Sequence, residues 1–350
     1  MIHLKRAGLA MLLLSGTSLA MAQDRPAQSV ETVSAYARPA DYPKTDAAAY
    51  SRHFNAARKI AGNDLWVFFD TLCIQDQLYT QRIRNVQYNG MVPAQKIFDN
   101  LYYLGQMAVS AWAIDTPEGI ILIDALNNTD EAKNIIVPAL QAVGLDPARI
   151  KYVIITHSHG DHYGGANYLR DTYGAKLVAS AADWEVMERP ASGPFANNPR
   201  FSPPPHRGQG DMTVSDGQAL SLGGTEIHFG LTPAHTPGTL SLWFKTSDNG
   251  RPHTVGMYGG IGMPRTVENK QLQLGSMAHW IDVVKKAGVD AQIGNHPLHF
   301  DGPARLEVLK YRLKGQPHPF VIGNAAYGRF MAMMTECVKM SLARDGVAAP

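Results

Sequence analysis

From Lys96 onward, short apolar runs alternate with stretches of helical periodicity. Residues 100–105, 107–114 and 120–123 read as successive strands, with the turn Asp115-Thr-Pro-Glu-Gly119 between the last two. Residues 131–143 carry the 3.6-residue period of an amphipathic helix, and the β-branched run 151–155 reads as a buried strand. A helix at 166–173, a strand at 176–179, and strands at 225–231, at 239–244 and ending at Ile293 continue the pattern. In 225–231, alternation sets Ile227, Phe229 and Leu231 on one face and Glu226 and His228 on the other, so His228 reads as a solvated strand residue. Strands placed between helices at this spacing predict a layered α/β fold.

Ahead of this region, 46–62 is helical in pattern, and 65–78 carries an apolar, aromatic face of Trp66, Phe68, Phe69 and Leu72. These segments are expected to pack on the domain and cover core surface, a wall of a substrate pocket being the alternative role. A C-terminal helix is expected over 325–342. The chain therefore divides into 1–22, an N-terminal leader and helical extension at 23–93, a catalytic-type domain at 94–320, and a C-terminal segment at 321–350.

Residues 1–22 change the picture of where the protein works. Lys5 and Arg6 precede an apolar stretch from Ala7 to Leu14, and Ala20-Met21-Ala22 closes it, the form of a secretory signal peptide cleaved after Ala22. The apolar run is far short of the roughly 20 residues a membrane span needs. A periplasmic or secreted protein is expected. Of 32 basic residues, Lys5 and Arg6 leave with this segment, and the remaining 30 balance 30 acidic residues. Such neutrality gives no electrostatic reason to bind nucleic acid or anionic lipid and favours a small-molecule substrate. The two cysteines, Cys73 and Cys337, are even in number in an exported chain. A disulfide joining the N-terminal extension to the C-terminal helix is expected, two buried thiols being the alternative.

The chemistry concentrates in one loop, Thr156-His-Ser-His-Gly-Asp-His-Tyr-Gly-Gly165, at the carboxyl end of the 151–155 strand. His157, His159, Asp161 and His162 are four metal ligands within six positions, a donor set suited to zinc, or less well to iron or manganese. Gly164 and Gly165 permit a close backbone turn before the next helix. His235, in Thr232-Pro-Ala-His-Thr-Pro-Gly238, and His296, in Ile293-Gly-Asn-His-Pro297, also come after strands. Six ligands and a shared water are what two four- or five-coordinate metals require. His299 is a possible substitute ligand, read as a bystander. Asp124, at a neighbouring strand end, is a candidate acceptor fixing a ligand imidazole, or an ordinary strand-terminating Asp. The irregular stretch 190–212, with six prolines, reads as a lid or binding loop, where Phe195 and Phe201 offer apolar contact and His206 or Arg207 a polar one.

These motifs, together with Gly119-Ile-Ile-Leu-Ile-Asp124, resemble the metallo-β-lactamase superfamily over about residues 94–315, and most of all its subclass B3 enzymes. The resemblance implies a four-layer αββα sandwich, with the N-terminal helical extension and C-terminal helix added to it. It also implies two zinc ions, one held by His157, His159 and His235 and the other by Asp161, His162 and His296. No cysteine lies near these loops, unlike the subclasses that place one on the second zinc. Metal chemistry then implies a dizinc hydrolase, a β-lactamase in which a metal-bridging hydroxide, oriented by Asp161, attacks the lactam carbonyl.

One departure bears on substrate. Subclass B3 enzymes typically carry a Ser-x-Ser motif for the substrate carboxylate, whereas the corresponding stretch here is Tyr258-Gly-Gly-Ile-Gly-Met-Pro264. Arg265, Lys270 and Arg207 are the candidate replacements. The alternatives are a lactonase or thioesterase of the same superfamily, or a non-catalytic zinc-binding protein. The first two resemble this chain except for a metal-bridging Asp near residue 259, where glycines stand. The third usually lacks ligands that this chain retains.

Overall fold

A computed structural model describes residues 42–75, 90–189 and 198–349. The segment 1–22 that reads as a signal peptide and Phe195 lie outside the described residues. Twelve strands are described: β1 (Gln95–Lys96), β2 (Leu101–Tyr103), β3 (Trp112–Thr116), β4 (Gly119–Ile123), β5 (Ile150–Ile154), β6 (Lys176–Ser180), β7 (Met212–Val214), β8 (Ala219–Leu222), β9 (Thr225–Leu231), β10 (Leu240–Asp248), β11 (Arg251–Met257) and β12 (Ala291–Ile293). They form two sheets, β1 to β7 in sequence order, and β12-β11-β10-β9-β8. The first sheet is antiparallel from β1 to β4 and parallel from β4 to β7. In the second only the β11–β12 pair is parallel.

The layering arises from alternation along the strands. Trp112, Ile114, Ile121, Ile123, Ile154 and Val178 of the first sheet share one core with Ile227, Phe229, Leu242, Phe244, Val255 and Met257 of the second. The intervening residues Ala113, Ile120, Leu122, Val153, Leu177 and Ala179 face outward into a second core with Ile136, Leu140, Leu169 and Trp184 of the covering helices. Strand β4 is buried along its whole length because it is covered on both faces. Helices Val267–Ala287 and Asn324–Arg344 extend the inter-sheet core over the far side of the second sheet through Met277, Trp280, Phe330 and Met334. The four-layer αββα sandwich is therefore the observed fold.

The expected strand over 107–114 is confined to Trp112–Thr116. Its first half is irregular because its backbone is committed elsewhere: Ser110 N–H donates to Asn295 O (2.8 Å), and the Ala108 carbonyl meets the His296 ring (2.8 Å). The helical run at 129–142 includes a π-helical stretch, Ala132–Ile136, ahead of Pro138.

The N-terminal extension begins with helix Ala47–Ala61, capped by Asp46 accepting from Ala49 N–H (2.9 Å). This helix and residues 66–75 pack on helix Asn324–Arg344, with Phe68 edge-on to Phe330 and His53 2.7 Å from Glu336. Residues 69–75 also touch the Pro297–Phe300 turn beyond His296, so the extension buttresses a ligand loop. Cys73 and Cys337 are joined in a disulfide across 264 positions. Closing so long a loop constrains the unfolded chain, and both sulfurs belong to fully buried residues. Replacing both cysteines with Ser is expected to destabilise the protein by about 2–5 kcal/mol. Thermal unfolding of this variant, and of the wild type under reductant, checks it; unchanged midpoints would refute the contribution.

Candidate metal centre

Each candidate ligand lies where a strand ends at one rim of the sandwich. The loop after β5 carries His157, His159 and the short helix Gly160–Tyr163, which contains Asp161 and His162. His235 comes after β9, and His296 after β12 of the second sheet. Gly164 lets this loop lie against its neighbour, since a Cβ there would fall 1.9 Å from Asn127 O.

The six side chains converge as two triads. The donor atoms of His157, His159 and His235 all lie within 4.8 Å of one another, as do those of Asp161, His162 and His296. The triads adjoin through His157 and His162, whose ring centroids are 3.9 Å apart. His157 Nε2 and His162 Nε2 are buried without a hydrogen-bond partner. Buried polar atoms are normally satisfied, so two orphaned imidazole nitrogens facing other donors fit metal ligation. The opposite nitrogens are anchored: His162 Nδ1 is 2.8 Å from Asp124 Oδ2, and His157 Nδ1 is 3.2 Å from Thr156 Oγ1. His296 Nδ1 meets the Ala108 carbonyl, turning Nε2 toward Asp161, 3.7 Å away.

Electrostatics differ between the triads. Burial, then the neighbouring imidazoles, hold His157 and His235 well below the ordinary histidine value. Burial brings His159 down to about 4 even with Asp161 opposing it. The first triad therefore presents neutral rings, the form that binds metals. Burial also disfavours charge on His162, but Asp161 and Asp124 outweigh it and raise it to about 10. Asp161, despite its burial, is held far below the usual carboxylate range by His162, His296 and His159.

Asp124 is the hub of this network. It accepts from Thr156 N–H (2.9 Å), Thr156 Oγ1 (2.8 Å) and Asn295 Nδ2 (2.7 Å) in addition to the His162 contact. The sequence pattern did not single out Asn295, Thr156, Asp183 or the Ala108 carbonyl. Asn295 and Thr156 adjoin motif histidines, a usable signal, whereas Asp183 and Ala108 lie outside any motif. His299 stands beside the second triad, its ring 5.3 Å from that of His296, and it belongs to neither triad.

The expected substrate contacts separate. Lys270 is fully buried and ion-paired with Asp345, a commitment that corrects its expected role toward a substrate. Arg207 is exposed but held by Thr213 Oγ1 (3.0 Å) and Glu188 (3.5 Å), above Trp184. Arg265 is exposed just ahead of helix Val267–Ala287. Phe201 packs where a Cβ on Gly160 would stand, directly against the ligand loop. The described end of the 190–212 loop is tied down by Asn128 Nδ2 donating to Arg200 O and Thr129 N–H to Ser202 Oγ.

Residues 104–248 match the model of the metallo-β-lactamase superfamily. Over that stretch, 145 of its 350 residues, the chain is similar to this superfamily. Among solved structures, a native metallo-β-lactamase of Legionella gormanii is similar with a TM-score of 0.63 and 25% identity, covering 74% of this chain and 98% of that one. A subclass B3 metallo-β-lactamase of Bradyrhizobium japonicum shares the fold at a TM-score of 0.59 and 23% identity, covering 71% and 93%. A hydroxyacylglutathione hydrolase of Acidiphilium cryptum is 31% identical over 106 residues, 30% of this chain and 35% of the relative. The chain thus spans about a third of the length of such curated relatives.

Two substitutions probe the centre. Asp124→Ala removes an acceptor shared by four donors and is expected to lower affinity for added zinc by about 10–100-fold, read by competition with a chromophoric chelator. Gly260→Ala puts a Cβ 2.5 Å from His235 Cβ at a φ of 57°, and is expected to displace that ring and weaken metal uptake. Wild-type affinity in either variant would refute the corresponding role.

Proposed function

We propose that the protein is a dizinc hydrolase acting as a β-lactamase, with the first zinc on His157, His159 and His235 and the second on Asp161, His162 and His296. The observation that carries the choice within the superfamily is the closure of positions 259 and 260. A Cβ on Gly259 would fall 2.1 Å from Leu240 O, and one on Gly260 would meet His235. This closeness argues against a bridging carboxylate of the lactonase and thioesterase kind and supports the five-histidine, one-aspartate set of the subclass B3 enzymes.

When bound, paired zinc ions would polarise the scissile carbonyl and lower the pKa of an attacking water to about 7. The chain's own residues set the rest. Asp161, beside both triads' histidines, can accept a hydrogen bond from the attacking water and orient it. Asp124 holds the His162 ring so that Nε2 faces the centre, and the Ala108 carbonyl does the same for His296. Arg265, exposed at the end of the Tyr258–Pro264 stretch, is the remaining candidate for a substrate carboxylate, since Lys270 is spent on Asp345.

Export belongs to the same reading. The 1–22 signal pattern and the Cys73–Cys337 disulfide both fit an oxidising compartment outside the cytoplasm. No described helix is long and apolar enough to cross a membrane. A second reading, thioester hydrolysis, rests on the similarity to hydroxyacylglutathione hydrolases.

Ultraviolet-monitored hydrolysis of a penicillin, a cephalosporin and a carbapenem, alongside a lactone and a hydroxyacyl thioester, separates these readings. Chelator-sensitive turnover of the lactams, with Arg265→Ala raising KM more than it lowers kcat, is the expected result. Turnover of the thioester or lactone alone would replace the β-lactamase reading.

A further inference from the structure

In the second triad a carboxylate, that of Asp124, touches a ligand ring directly. Behind the first triad another buried carboxylate, Asp183, stands one residue further out. It lies in the first turn of helix Ala181–Glu188, is 1% exposed, and aims both oxygens between the two loops that carry the triad. Oδ2 accepts from Ser158 N–H (3.0 Å) and Thr236 Oγ1 (2.7 Å), and Oδ1 from Ser158 Oγ (3.1 Å) and Gly238 N–H (3.0 Å). Ser158 sits between His157 and His159, and Thr236 is the residue directly after His235. One buried carboxylate thereby grips the chain neighbours of all three ligands. The packing is closed around it, since a Cβ on Gly238 would fall 2.5 Å from Asp183 N and 2.0 Å from Ser180 Oγ.

We infer that Asp183 is a positioning residue for the first metal: it locks the His157–His159 loop to the His235 loop and places a buried carboxylate behind the three imidazole ligands. Burial raises the Asp183 carboxyl above its ordinary value, and the hydrogen bonds from Thr236, Gly238 and Ser158 oppose that rise by favouring the charged form. A cation among three imidazoles is stabilised by a fixed anion in a poorly screened interior. A single carboxylate also makes the two loops move as one, which keeps the triad's spacing when the metal is absent. This inference rests on the dizinc reading above.

The test uses the whole protein as wild type, Asp183→Asn, Asp183→Ala and the milder Thr236→Val. Zinc affinities of both sites are read by competition with a chromophoric chelator, the first site's ligand field by the visible spectrum of the cobalt-loaded protein, and the fold by thermal unfolding without metal. Asp183→Asn is expected to weaken the first site by about 10–100-fold, to alter its cobalt spectrum, and to leave the second site within about threefold. Thr236→Val should shift the same site in the same direction by a smaller factor, and it carries the test if Asp183→Ala does not fold. Wild-type zinc affinities in Asp183→Asn with only a lower unfolding temperature would reduce the residue to a structural tie and overturn the inference. A loss shared equally by both sites would overturn the assignment to the first triad. A wild-type chain that takes up no zinc would overturn the dizinc reading and this inference together.

Discussion

The structure turns on one buried carboxylate, Asp124, and on the three strand ends it joins. Its oxygens reach Thr156 after β5, His162 on the ligand loop, and Asn295 after β12 of the opposite sheet. Other bonds cross between the sheets along the same rim, with Leu240 N–H donating to Thr156 O and Trp112 Nε1 to Gly294 O, while Gly260 N–H donates to Asn295 Oδ1 between the loops after β11 and β12. The sandwich is apolar between its sheets, so its directional ties gather at its edges, this one and the turn where Asp99 meets Ser247, Asn249 and Gly250, and the ligands project from the same loops that make the ties at this rim. Metal geometry and sheet registration are therefore one problem. A shift of β12 relative to β5 would move Asn295, and with it the His296 side chain next along the chain.

That arrangement has a conformational cost, visible where the loops interlock. Asp124 and Leu126 adopt φ values of 62° and 60°, the left-handed region that a leucine occupies only when its surroundings require it. The requirement is specific: Ala125 N–H donates to His162 O, while Gly164 and Gly165 N–H donate to Leu126 O and Ala125 O. The turn after β4 is bent so that its amide and carbonyls pair with the ligand loop, and the glycines allow the approach. Strain of about 1–3 kcal/mol per such residue persists when the packing around it is over-determined, as it is for these fully buried positions.

Much of this was legible in the chain because the ligands obey local rules. The His-x-His-x-Asp-His loop declares itself by density, and β4 and β5 by short apolar runs rich in isoleucine and valine. His235 and His296 could be read from strand-then-loop context alone. The illegible parts depend on tertiary partners. Asp183 looks like any helix N-terminal acid, its backbone N–H donating to the capping Ser180 Oγ, until the fold brings Ser158 and Thr236 against its carboxylate. Residues 107–111 read as strand by pattern, but their backbone is used across the sandwich by Asn295 and His296, contacts with no sequence signature. Lys270 read as a candidate anchor for a substrate carboxylate, while helix packing sealed it against Asp345.

The relatives by sequence and the neighbours by structure point toward different chemistries, and the position of the shared region accounts for this. The superfamily match ends at residue 248, after five of the six ligands. That stretch is the metal frame, common to enzymes of many substrates. The Gly259–Gly260 closure, Asn295 with His296, and the C-terminal helix stapled to the extension through Cys73 all lie beyond the match, and His296 completes the second triad. In the proposed dizinc reading, side chains of the frame are fixed by what two metals would require. Past residue 248, the glycines leave little room for a bridging carboxylate and would limit what the metals could share. In that reading the choice of chemistry rests most on the residues the superfamily match does not cover.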